Sequence, residues 1–397
     1  MFNPKRILSP TAATIAAAQP AGYARKIRIN THSYRSDISA ETSDTVEIPE
    51  VLQSQETLEF IGFRDDVAKK IFDRFMEDQQ DMTLGVGSFA GYIEGYIESA
   101  ETNAQTPHDD WNMTLWSAGL KPNLITSILD PEFDDIRFTR SAFYWAKDTV
   151  FMRFEFLQSL DAIILAGGNQ VSSAATGRAP GASTVFTQPP TQPSGSRNKP
   201  YPPTGVFPLP APQVGAVASQ REIPENHTRL YKGESLRRLK RAMLADGGWD
   251  CTLILSNPPA DFSRHERELY FTKQREVARR YSVYAWRRAL RDIDVGIMEL
   301  DVDREWLNEN AHYIHGEEWK EYVWINRTEG QMPDHLKYLN DTHVLGGPLC
   351  ASQDLGESCS SVPSLRLAGG DNACQYRFRR PVFDEVNGFT VTISVEK

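Results

Sequence analysis

Arg229-Leu230-Tyr231-Lys232-Gly233 and Glu268-Leu269-Tyr270-Phe271-Thr272 mark where the chain changes character. Both are short runs of aromatic and aliphatic residues, which suit a pleated surface, and glycine stops the first. They predict strands over 229–232 and 269–272. Between them, 235–244 reads as a helix stopped at Gly247-Gly248, and 252–255 as a strand running into Asn257-Pro258-Pro259. Downstream, 276–290 has helical spacing, with Val277, Tyr281, Tyr284 and Ala285 on its buried face. An almost unbroken apolar run predicts a strand over 295–300, followed by a short aromatic segment at 318–326. Further strands are expected at 342–346, closed by Gly347-Pro348, and at 375–378 and 389–395. Strands and helices do not strictly alternate, so the expectation for 227–397 is a mixed α+β sheet domain rather than a doubly wound one.

The upstream chain has a different texture. Leu58, Ile61, Val67, Ala68, Ile71, Phe72 and Phe75 recur at three- and four-residue spacings, as do Phe89, Tyr92, Ile93, Tyr96 and Ile97. Asp109-Asp110-Trp111 starts a further helix and Asp130-Pro131 breaks one. A long segment over 140–165 carries Phe143, Ala146, Lys147, Val150, Phe154, Leu157 and Leu160. Residues 53–166 therefore read as a separate all-α domain of four or five helices. Residues 167–226 hold 11 of the 24 prolines and read as a disordered linker long enough to let its neighbours move independently. Residues 1–52 read as a basic, then polar, tail.

The net charge of −10 is a sum of blocks. Residues 37–166 carry −16, 227–291 carry +8 and 292–341 carry −9. Such blocks suit separate modules and argue against a chain that coats nucleic acid with its whole surface. No run of 18 apolar residues exists, which excludes a spanning helix. Four cysteines, none in a Cys-x-x-Cys pair, are too few for a disulfide scaffold and fit a reduced compartment, cytoplasmic or nuclear. Residues 1–36 hold six bases and no acid, which resembles a mitochondrial presequence; a plain tail is the other reading.

Four segments in order carry a family resemblance. Leu230-Tyr231-Lys232-Gly233 resembles the first strand of the ADP-ribosyltransferase fold. Asp261-Phe262-Ser263, then Glu268 to Thr272 and a helix bearing Val277-Ala278 and Tyr281, resembles its second element. Glu318-Trp319-Lys320-Glu321-Tyr322-Val323-Trp324-Ile325-Asn326-Arg327 resembles a Trp…Phe-Val…Asn-Arg segment of microbial relatives. Val344-Leu345-Gly346-Gly347-Pro348 and a later Gln375-Tyr376-Arg377-Phe378 complete the order. The resemblance covers about 227–380 and implies an NAD-cleaving protein that passes ADP-ribose to a protein or to water. It implies that Tyr231, Lys232, Gly233, Tyr270, Thr272 and Tyr281 bind NAD. Cleavage builds positive charge on the ribose, which a carboxylate stabilises electrostatically. Gln375 stands at or near the family's catalytic glutamate, and a neutral amide cannot supply that charge. Glu268, Glu318 and Glu321 are the carboxylates that can replace it. The other reading is a degenerate site in a binding module, with the helical domain recognising a protein partner or inhibiting the site.

The remaining motifs favour structural readings. The helix over 273–291 carries seven bases and one acid, with Arg275, Arg279, Arg287 and Arg288 on its expected exposed face. No RNA-module signature accompanies it. His312-x-x-His315 lacks the His-Glu-x-x-His order, so no metal is expected. Gly85-Val86-Gly87-Ser88-Phe89-Ala90-Gly91 follows no strand and reads as a helix–helix turn. The aromatic stretch 141–160 reads as helix core.

Overall fold

A computed structural model describes residues 51–80, 87–104, 110–174, 221–328, 330–352, 355–367 and 370–396, with 27–28, 45–46 and 48–49. Side chains of the long helix are described as far as Asp161. The bulk of the expected linker, 175–220, and of the basic tail lies outside these residues, as do 81–86 of the glycine turn.

The helical region comprises α1 (Gln55–Ile61), α2 (Asp65–Gln80), α3 (Phe89–Thr102), α4 (Trp111–Ser117), α5 (Pro122–Ile128), α6 (Asp134–Arg137) and α7 (Ala142–Ala174). Caps set several starts: Ser54 Oγ accepts from the Thr57 amide, Ser88 Oγ from Gly91 and Asp110 Oδ1 from Met113. α1 stops at Gly62, whose φ of +127° and close approach to Leu124 exclude a side chain. The helices are more numerous than the four or five expected, in part because Gly62 divides the run over 58–75 into α1 and α2. α7 in turn passes the expected end at 165 and runs to Ala174.

The C-terminal region is a mixed seven-stranded sheet with helices. Its strands are β1 (His227–Ser235), β2 (Leu269–Thr272), β3 (Val295–Asp303), β4 (Ala311–Tyr313), β5 (Val344–Pro348), β6 (Cys374–Phe378) and β7 (Thr390–Glu396). Their spatial order is β4-β5-β6-β2-β1-β3-β7, antiparallel throughout except for β4 with β5. The helices are α8 (Leu236–Arg241), α9 (Arg275–Arg288), α10 (Arg304–Asn310), α11 (Gly316–Thr328), α12 (Lys337–Asp341) and α13 (Phe383–Asn387). The protein is thus α+β. One strand expectation fails: Cys251–Ile254 is a 3₁₀ turn, because Asp250 caps the Thr252 amide and turns Cys251 and Ile254 into the core. The aromatic segment at 318–326 lies in α11, which buries Trp319, Tyr322, Val323 and Ile325.

The expectation of independently moving modules is corrected by the packing. Val277 and Tyr284 of α9 belong to the same hydrophobic core as Leu124, Phe133 and Trp145 of the helical region. The Tyr284 hydroxyl donates to the Ile128 carbonyl at 2.8 Å. Arg153 of α7 and Asp292 form a buried ion pair at 2.5 Å. Arg238 and Arg288 both hold Asp148, whose carboxyl stays at a pKa of about 2 because the two guanidiniums outweigh its burial. Arg288 is therefore buried rather than on an exposed face. Its neighbours are also engaged: Arg275 and Arg279 pair with Glu396, and Arg287 with Asp130 and Glu132.

Among the described residues, no helix is long and apolar enough to cross a membrane.

Candidate functional site

The sheet consists of two halves joined at one point. β1 runs beside β3 over all nine of its residues, and β2 beside β6 over all four of its own. Between β1 and β2 a single register pair exists, Tyr231 with Thr272. Beyond it the strands part, so 232–235 and 269–271 have no cross-strand partners on that side. Of the six residues expected from sequence to bind NAD, Tyr231, Lys232, Gly233, Tyr270 and Thr272 lie on these two strands and Tyr281 lies on α9.

Register places Tyr231, Thr272, Gln375 and Gly347 in one cross-strand row. Alternation along a strand then puts Tyr270 on the face of Thr272 and Lys232 on the opposite face of β1. Gly233 has a packing reason of its own: a Cβ there would sit 1.7 Å from the Ala278 carbonyl, because α9 lies directly on β1. The Thr272 hydroxyl is spent on the Cys374 carbonyl at 2.7 Å. The Tyr281 hydroxyl reaches Thr139 Oγ1 of the helical region at 3.0 Å, and burial lifts its pKa to about 12. Tyr270 is buried, and its hydroxyl has no hydrogen-bond partner among the described residues. Burial pushes the Tyr270 pKa upward, with Glu268 adding to the effect.

Gln375 is buried and donates to Asp261 Oδ2, with a weaker bond to the Pro348 carbonyl at 3.3 Å. Asp261 also accepts from the Cys350 amide at 2.9 Å and pairs with Arg327, both side chains almost fully buried. Arg327 continues to the carbonyls of Ser352 at 3.2 Å and Thr139 at 2.7 Å. Asp261 and Arg327 come from two different segments of the sequence resemblance, and neither was assigned a site role from sequence. The signals present were the Asp-Phe turn and the Asn-Arg end of α11. Periodicity could not show that they meet.

The carboxylates lie elsewhere. Glu318 accepts from the Tyr338 hydroxyl at 2.5 Å, and Glu321 pairs with His335 at 3.0 Å, both toward α12 and solvent. The Tyr322 hydroxyl points to the Phe262 carbonyl instead. Glu268 is buried between Arg377 and Arg379, at 3.4 and 3.5 Å. Burial outweighs both arginines and lifts its pKa to about 7. His312 contacts the Tyr338 hydroxyl at 3.3 Å, and no group of three or more metal-ligating side chains gathers among the described residues.

The helical region reaches this site through the start of α7. The Arg140 guanidinium donates to the carbonyls of Asn257 and Pro259, and its carbon lies 4.9 Å from the Tyr144 ring centre. Lys232 Nζ lies 3.4 Å from Ser256 Oγ on the same short loop. That loop enters β2 through the antiparallel bridge of Ser256 with Glu268.

Comparison of the chain with family models, with curated proteins and with solved structures finds no match. What fold and site define by themselves is an α+β protein with a split mixed sheet and a helical region docked against the split.

Proposed function

We propose that this protein is an ADP-ribosyltransferase-like binding module that takes NAD in the split between β1 and β2 without cleaving it. The observation that carries this reading is the bonding of Gln375. Its amide is a donor to Asp261, and Arg327 neutralises Asp261, so this point of the site holds no free negative charge. The oxocarbenium-like ribose needs a carboxylate facing it. Glu318 and Glu321 are tied to Tyr338 and His335, and Glu268 is enclosed with two arginines. Binding asks less: Lys232 supplies positive charge for the pyrophosphate, and Tyr270 and Tyr281 supply aromatic surface. The helical region is then the part that meets a protein partner.

The test is isothermal calorimetry of NAD with the full chain, beside an assay for released nicotinamide. The expected result is saturable binding, weakened in Lys232→Ala and Tyr270→Ala, with no nicotinamide above the buffer rate. Absence of binding removes the nucleotide reading. Nicotinamide release by wild type that is lost in both variants restores the NAD-cleaving transferase in its place.

A further inference from the structure

The contact between the helical region and the sheet is rich in arginine, and its arginines are paired. Arg153 meets Asp292, Arg238 meets Asp148 and Glu155, and Arg280 meets Asp135. Two cations break this pattern. Arg140 and Lys232 have no carboxylate within ion-pair distance among the described residues, although both are partly buried. They meet the same loop: Arg140 holds the carbonyls of Asn257 and Pro259, and Lys232 reaches Ser256. Two like charges brought to one short loop repel each other, and partial burial strengthens the repulsion. Burial lowers the Lys232 pKa, with Arg140 and Arg238 lowering it further against the pull of Glu234. Arg153, Arg238 and Arg280 are paired across this contact, whereas Arg140 and Lys232 converge on one loop with no carboxylate at ion-pair distance among the described residues, which leaves a place for an anion. The buried Tyr270 hydroxyl has no hydrogen-bond partner among the described residues.

We propose that Arg140 and Lys232 form a two-cation site for a pyrophosphate group, so that the helical region completes the ligand site instead of only covering it. The inference deepens the NAD reading above and rests on it for the identity of the nucleotide, but the anion site stands on its own residues. Arg140 presents a planar fork suited to two phosphate oxygens, and Lys232 a point charge. Thr139 anchors the same turn through Tyr281 and Arg327. The guanidinium is therefore held in place before ligand arrives, which lowers the ordering cost of binding.

The experiment uses the full chain and three probes: inorganic pyrophosphate, NAD, and nicotinamide riboside, which lacks the pyrophosphate. Arg140→Gln and Lys232→Gln are each expected to weaken pyrophosphate and NAD by about tenfold or more. Arg140→Lys, which keeps the charge but not the fork, is expected to fall between wild type and Arg140→Gln. Nicotinamide riboside should bind all forms alike. Circular dichroism and melting temperature check that each variant is folded, and the Lys232 variant tests the site from the sheet side should Arg140→Gln fail to fold. Pyrophosphate binding in Arg140→Gln equal to wild type overturns the proposal, as does a wild type that binds no pyrophosphate. Wild type that binds pyrophosphate but not NAD, with loss in both variants, upholds the anion site and removes the nucleotide reading instead.

Discussion

Replacing Arg153 by leucine tests whether the helical region and the sheet are one cooperative unit. The Arg153 and Asp292 side chains are 4% and 8% exposed, and their charged atoms lie 2.5 Å apart. Arg153 also donates to the Ala289 carbonyl at 2.7 Å and to the Phe60 carbonyl at 2.6 Å, so it joins α1, α7 and the end of α9. Burial keeps the Asp292 pKa raised even with the arginine beside it. Removing the cation leaves that carboxylate buried without a partner, a change that typically costs about 3–5 kcal/mol. Asp292→Leu should cost less, because Arg153 keeps both carbonyls. The double variant should lose much less than the sum of the two, with a coupling of about 2 kcal/mol. Urea unfolding followed by far-ultraviolet circular dichroism reads these values. A single transition, shifted as a whole, is expected. A loss below about 1 kcal/mol, or two transitions of which only one moves, would refute the shared core.

Two further outcomes follow from the buried groups. Gln375→Glu sets a second carboxylate against Asp261, with Arg327 as the one facing cation, and should destabilise the protein by about 2–4 kcal/mol without creating nicotinamide release. A variant as stable as wild type that cleaves NAD would contradict the binding-module reading. Glu268 has a folded pKa of about 7, above the unfolded value of about 4.3. Its contribution to stability is therefore full below pH ~4.3 and lost as pH climbs through ~7. Melting temperatures between pH 4.5 and 7.5 should fall with pH in wild type, and Glu268→Gln should flatten that slope; an identical slope in both would exclude Glu268 as its source.

Much of the local structure was readable because it depends on neighbours in sequence. The strand over Leu269–Thr272 follows from a short aromatic and aliphatic run, and the helix Arg275–Arg288 from apolar spacing of about 3.6. The stretch at 252–255 looked equally strand-like, but Asp250 caps it into a turn, an outcome that hydrophobicity alone does not encode. Tyr231, Thr272 and Gln375 were named from sequence and do share one register row. Glu318 and Glu321 were named for their charge, but in the fold their carboxylates are engaged by Tyr338 and His335.

Arg140 shows the limit most clearly. In sequence it is one basic residue at the head of a long helix, in a block carrying −16. Its carbonyl partner Asn257 is 117 residues away. The composition and periodicity of the chain determined an α-helical part, a proline-rich stretch and an α+β part, because each depends on runs of a dozen residues or fewer. Only the tertiary structure decided that the helical part packs into the same core, that the sheet parts beyond one register pair, and that Arg140 and Lys232 meet at one loop. Those facts depend on which distant surfaces exclude water together, and no local pattern carries that information.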